Sequence, residues 1–89
     1  MNEPAAQVAL AGILDLTEAR PLAEALAAVR GRPLQVNAFA VERLGALCLQ
    51  VLVAARRTWA ADGAPFAIVG ASPAFAEQSA RLGALGLVG

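Results

Sequence analysis

Leu34-Gln35-Val36-Asn37-Ala38-Phe39, followed by Val41-Glu42-Arg43-Leu44-Gly45 and then by Ala46-Leu47-Cys48-Leu49-Gln50-Val51-Leu52 and on to Trp59, is the stretch that decides the fold. The opening run is extended and apolar on both sides apart from Gln35 and Asn37, as expected of a central strand over Leu34 to about Ala38. A short connection through Val41 to Gly45 leads into a helix predicted from about Ala46 to Ala61, stopped by Asp62-Gly63. Unpaired backbone N–H groups collect where a strand runs into a helix start, so function is sought first at that junction.

Working outward, Gln7-Val8-Ala9-Leu10-Ala11 alternates weakly, Gly12 interrupts it, and Ile13-Leu14-Asp15-Leu16 resumes it. That pattern predicts a hairpin-like pair of short strands. Thr17 stands as a helix N-cap with Pro21 in the first turn, Leu22, Leu26 and Val29 share one face, and Gly31 is the stop. Downstream, Pro65 to Gly70 reads as a strand. Ser72-Pro73 then starts a last helix, with Phe75, Ser79 and Leu82 down one side, and Leu85 and Leu87 of the tail pack back. The order is ββαβαβα, with right-handed crossovers joining parallel strands. The expected fold class is α/β, a mixed four-stranded sheet with its helices on one face and the other face half open. Residues 1–6 are expected to fray and residues 7–89 to form one domain.

Within the apolar second helix, Leu47, Val51, Ala55 and Thr58 form one line and Leu44, Cys48, Leu52, Ala55 and Trp59 the line beside it. Both lines are expected to face the core. Ala46, Gln50, Arg57 and Ala61 trace the opposite face, turned to water or a partner.

The 89 residues are 58% hydrophobic, chiefly Ala and Leu, and His, Lys and Tyr are absent. Seven Arg balance seven acidic residues without a basic patch, which argues against nucleic-acid binding. No apolar run approaches the ~18 residues of a membrane span, and the Met1-Asn2-Glu3-Pro4 start lacks a basic signal-peptide region, so a cytoplasmic, non-membrane-embedded protein is expected. The lone Cys48 has no His to pair with, which removes a Cys/His metal set and a Cys-His nucleophile, and it reads as a buried structural thiol. With no paired carboxylates at useful spacing and no Gly-rich phosphate loop, neither an enzyme nor a cofactor site is expected.

The run from Val36 to Leu52 resembles the central motif of STAS domains, the sulfate transporter and anti-sigma factor antagonist family. Gly12-Ile13-Leu14-Asp15-Leu16, Trp59-Ala60-Ala61-Asp62-Gly63 and Ser72-Pro73-Ala74-Phe75 extend the resemblance from about Val8 to Leu87. Family members carry a strand ending in Asp-x-Ser-x-Val, then Asp-Ser-Ser/Thr-Gly-Leu opening a helix whose Ser or Thr a partner kinase phosphorylates. On that pattern the phosphoacceptor position is Ala46, the acid before it Gly45, the strand-end acid Asn37, and the Ser after it Phe39. Asn37 also reads as a strand-end amide serving local backbone groups.

The resemblance implies a non-enzymatic protein–protein interaction module in bacterial signalling, close to an anti-sigma factor antagonist but without the phosphoacceptor. Its partner is expected among anti-sigma or serine-kinase-like proteins, chemotaxis proteins or transporter components, with weak homodimerisation a further expectation. The contact set is Asn37, Phe39, Glu42, Arg43, Gly45, Ala46, Leu49, Gln50 and Val53. Alternative settings are a STAS subunit of an ABC-type transport complex and a small-ligand-binding STAS domain.

Overall fold

The computed structural model describes residues 5–83. Strand β1 (Ala6–Ala9) leads to the two-residue β2 (Ile13–Leu14), a single 3-10 turn (Leu16–Glu18), helix α1 (Ala19–Ala27), strand β3 (Leu34–Asn37), the two-residue β4 (Arg43–Leu44), helix α2 (Ala46–Asp62), strand β5 (Phe66–Val69) and helix α3 (Pro73–Arg81). β1 includes Ala6, whose N–H donates to Pro33 O at 2.7 Å, one residue before the expected start. The expected packing of Leu85 and Leu87 falls outside the described residues.

The chain builds an α/β fold with parallel strands, as the crossover spacing implies, and β3 lies between β1 and β5. Val8 stands opposite Val36, and Val36 opposite Ile68. Alternation along β3 separates its faces: Leu34 and Val36 are buried, Gln35 and Asn37 exposed. Both crossovers run toward the next strand in the same direction, so their right-handedness puts α1 and α2 on one face, where they pack together. The other face is open, and there Gln7 Nε2 donates to Gln35 Oε1 at 3.2 Å.

The sheet differs from the mixed four-stranded layer expected. β1 and β2 form no hairpin; β2 pairs in parallel with β4, in a separate two-stranded sheet, and α3 packs on β4. The cause is local. Leu10 N–H still bonds Asn37 O, but Gly12 O accepts from both Glu42 N and Arg43 N, at 2.7 and 3.1 Å, and turns the chain toward the β3–α2 connection. That connection therefore contains a short strand, not only a loop.

The first helix also starts differently. Asp15, not Thr17, caps the 3-10 turn, its Oδ1 accepting from Thr17 N and Thr17 Oγ1 at 3.0 and 2.6 Å. Ser72 caps α3 as expected, accepting from Phe75 N, with Pro73 in the first turn. Phe75 and Ser79 of α3 are buried, but Leu82, the residue just past its end, is exposed.

The buried stripe of α2 is Cys48, Leu49, Leu52, Ala55 and Trp59. Its phase is rotated from the expected one, toward Leu49 and away from Leu47. Trp59 is 2% exposed, donates Nε1–H to Arg32 O at 2.7 Å, and lies with its ring centroid 6.0 Å from that of Phe66. Gly63, at φ +70°, closes the helix, its N–H bonding Ala60 O while Ala64 N–H reaches back to Trp59 O. A residue with a side chain would be strained in that left-handed position.

Candidate docking site at the start of the second helix

Parallel strands converge on the start of α2. β2 runs beside β4, the Gly45 N–H donates to Leu14 O at 2.9 Å, and the Cys48 Sγ donates to Asp15 O at 3.3 Å. Burial raises the Cys48 pKa, helped by the nearby charges of Asp15 and Glu18, so the thiol stays protonated and structural.

Gly45 occupies the N-cap position with extended backbone, and no side chain caps the helix. A Cβ built there would lie 2.8 Å from Leu14 O, so the residue is confined to glycine by its neighbour's carbonyl. The acid of the resembling motif has no space in this backbone. Ala46 follows, exposed, and contributes only a methyl group.

Asn37 turns its carboxamide onto the chain that follows, its Oδ1 accepting from Phe39 N at 2.8 Å. This is the local backbone role expected of a strand-end amide. Held by that turn, Phe39 is 77% exposed. Gly70, at φ +61°, passes close beneath: a Cβ there would stand 3.4 Å from Asn37 Oδ1 and 3.7 Å from Phe39 Cβ. Glu42, just before β4, and Arg43 on it are exposed, and Gln50 is exposed one helical turn beyond Ala46.

Two members of the expected contact set stand elsewhere. Leu49 is only 5% exposed and belongs to the core, and Val53 is half-buried against it. The rotated phase of α2 is the reason, since it turns the 49–53 line inward. The same rotation exposes Leu47, at 43%, beside Ala46.

Sequence reasoning missed Ile13 and Leu16, both exposed although apolar. They sit on β2 and on the 3-10 turn, next to the helix start through the contacts above. Their signal was the Gly12-Ile13-Leu14-Asp15-Leu16 run, which read as an ordinary strand. The segments carrying Ile13 and Leu16 thus meet the start of α2, which carries Leu47, while Phe39 stands exposed just past the end of β3, beside Gly70. Exposed large apolar side chains brought to one end of a small domain mark an interaction surface better than scattered ones do.

A shallow groove of about 300 Å³ between α1 and α2 is lined by Ala23, Ala27, Val51, Ala54 and Thr58 among others, and draws on α2 from Val51 onward, not on the helix start. Among the described residues no cluster of three metal-ligating side chains occurs, and no helix is long and apolar enough to cross a membrane.

The profile of the family described as "Mlab, STAS domain" matches residues 1–89, and the chain belongs to the STAS domain family. A comparison with curated proteins finds no match. STAS domains are generally non-catalytic, mediate protein–protein contacts, and occur among anti-sigma factor antagonists and transporter domains.

Proposed function

We propose that this chain is a non-enzymatic, cytoplasmic protein-docking module that binds its partner at the start of α2 without a phosphorylation cycle. The surface comprises Phe39, Glu42, Arg43, Ala46, Leu47 and Gln50, with Asn37 and Gly45 shaping the backbone beneath. One observation carries the reading: exposed Ala46 has no oxygen to phosphorylate, and it lies between Leu47 and a Gly45 that has no space for a side chain. In the resembling signalling proteins a phosphate would add a charge of about −1.5 to −2 at this position and oppose docking. Here no phosphate charge can be added at that position, so association is constitutive.

The same observation favours a second setting, a STAS subunit of an ABC-type transport complex, over a sigma-factor switch. A standing subunit needs neither the acid at 45 nor the hydroxyl at 46. An anti-sigma-antagonist role in bacterial signalling would have to be regulated elsewhere.

Affinity capture with mass spectrometry identifies the partner, and titration calorimetry against that protein then tests the site. Ala46→Asp is expected to weaken binding by roughly 1 to 3 kcal/mol, the cost of desolvating one unpaired charge. Ala46→Ser should bind as the wild type does. Equal affinities for the wild type and Ala46→Asp would place docking elsewhere.

A further inference from the structure

The backbone of β4 has two edges. On one, Arg43 N–H donates to Gly12 O at 3.1 Å and Gly45 N–H to Leu14 O at 2.9 Å, completing the pairing with β2. On the other edge a side chain takes the place of a strand. Leu44 N–H donates to Gln78 Oε1 at 2.7 Å, and Gln78 Nε2–H donates to Glu42 O at 3.1 Å. A parallel neighbour would bond around Arg43 in this pattern, giving one donor to the preceding carbonyl and one acceptor to the following N–H. The carboxamide of one α3 residue thus closes the strand edge that would otherwise be left open.

Gln78 does not act alone. Ser72 N–H donates to Ala38 O at 3.1 Å and Ser72 Oγ–H to Val41 O at 2.6 Å. From Ala38 to Leu44, the backbone of the segment carrying Phe39, Glu42 and Arg43 is hydrogen-bonded to α3 and its cap by Ser72 and Gln78. Ala38, Val41 and Leu44 point into the core, and the Phe39, Glu42 and Arg43 side chains are left outward.

We propose that Gln78 is a positioning residue for the docking surface: its carboxamide holds the Glu42–Leu44 backbone in the shape that presents Glu42 and Arg43. The functional consequence rests on the docking reading above, while the positioning itself is a property of the chain alone. A surface fixed before encounter avoids the cost of ordering a loop on binding. α3 then governs partner affinity without forming the contact surface.

The test is amide hydrogen exchange and ¹⁵N relaxation on the full chain, for the wild type, Gln78→Met and Gln78→Glu. Met keeps the length and helix preference of Gln but neither hydrogen bond; Glu keeps an acceptor for Leu44 N–H. In Gln78→Met the Leu44 amide should exchange faster by about tenfold, the weight of one lost hydrogen bond, while Leu52 and Ala55 in the core keep their rates. The Glu42 and Arg43 amides should show lower order parameters in the same variant. In Gln78→Glu the Leu44 amide should stay within about threefold of wild type. Unchanged Leu44 exchange in Gln78→Met would overturn the proposal, as would a parallel rise at Leu44, Leu52 and Ala55, because that marks general loss of stability. The measurement uses no partner, so its failure is separate from a failure of the Ala46→Asp titration, which tests the docking reading.

Discussion

The two ends of α2 are built on opposite terms. At the Asp62 end, a buried indole donates to the Arg32 carbonyl, Arg30 pairs with Asp62 at 3.0 Å, and Gly63 turns the chain back onto the helix. At the Ala46 end no side chain caps the helix, the N-cap is a glycine pressed against Leu14 O, and Ala46, Leu47 and Gln50 face outward. Supports for the second end come from outside the helix, through the Leu14 and Asp15 carbonyls and, on the strand that leads into it, the Gln78 carboxamide of α3. A helix stabilised mainly from its far end and its buried stripe can leave its near end shaped for contact. On the proposed docking reading, stability and docking are separable along one element.

Trp59→Ala should produce the largest effect, a loss of about 3 to 5 kcal/mol in denaturant unfolding, from the cavity and the Nε1 bond together. A loss under ~1 kcal/mol would break the contrast, since the far end would not be the anchor. Gly45→Ala comes next. Its Cβ would meet the Leu14 carbonyl at 2.8 Å, and because Gly45 N–H donates to that same oxygen neither backbone can withdraw freely. A destabilisation of about 1 to 3 kcal/mol is expected by the same melts. Restoring the motif's acid with Gly45→Asp should cost at least as much, so the departure from the motif is locked in by packing.

These contrasts were unevenly legible in the sequence. The bounds of α2, the burial of Trp59 and Cys48, the Ser72 cap and the central position of β3 followed from spacing, Gly and Pro signals, and crossover geometry. The partner of β2 did not, because two residues carry no period and alternation says nothing about which strand lies alongside. Leu47 and Leu49 were exchanged because α2 is apolar nearly all round. On such a helix a modest rotation, set by tertiary contacts with the 3-10 turn, decides which leucine is covered. Gln78 gave no signal, since a lone amide on a helix is ordinary until the strand edge beside it is seen.

Ala46→Asp sharpens the comparison in the other direction. The first turn of α2 contains no acidic residue. A carboxylate at this exposed position should interact favourably with the helix N-terminus, by about 0.3 to 1 kcal/mol at low salt. The variant should melt slightly above the wild type while binding its partner more weakly. A variant that is less stable would show that Ala46 is packed, and its weaker binding would then report damage to the fold.

The smallest effect concerns the far end and its dependence on pH. Arg30 Nε and Nη2 donate to Asp62 Oδ2 and Oδ1 at 3.0 and 3.3 Å, and these hydrogen bonds hold the Asp62 pKa below the ordinary 3.8, aided by the Arg30 charge. The sign follows from a folded value that is depressed: the stabilisation is fully present above 3.8 and fades as the pH falls through the lower folded value. Both side chains reach solvent, so the pair is screened and its contribution should shrink with added salt. Asp15, held below its ordinary value chiefly by the Thr17 hydroxyl, titrates in the same window, but it is present in wild type and Asp62→Asn alike and cancels from their difference. Melts of the two proteins from neutral pH down to about 2 isolate the Asp62 charge. The wild type should lead above the carboxylate range, and the gap should close as Asp62 protonates. A gap that persists unchanged in acid would mean that the Asp62 charge, and so its ion pair with Arg30, adds nothing to stability.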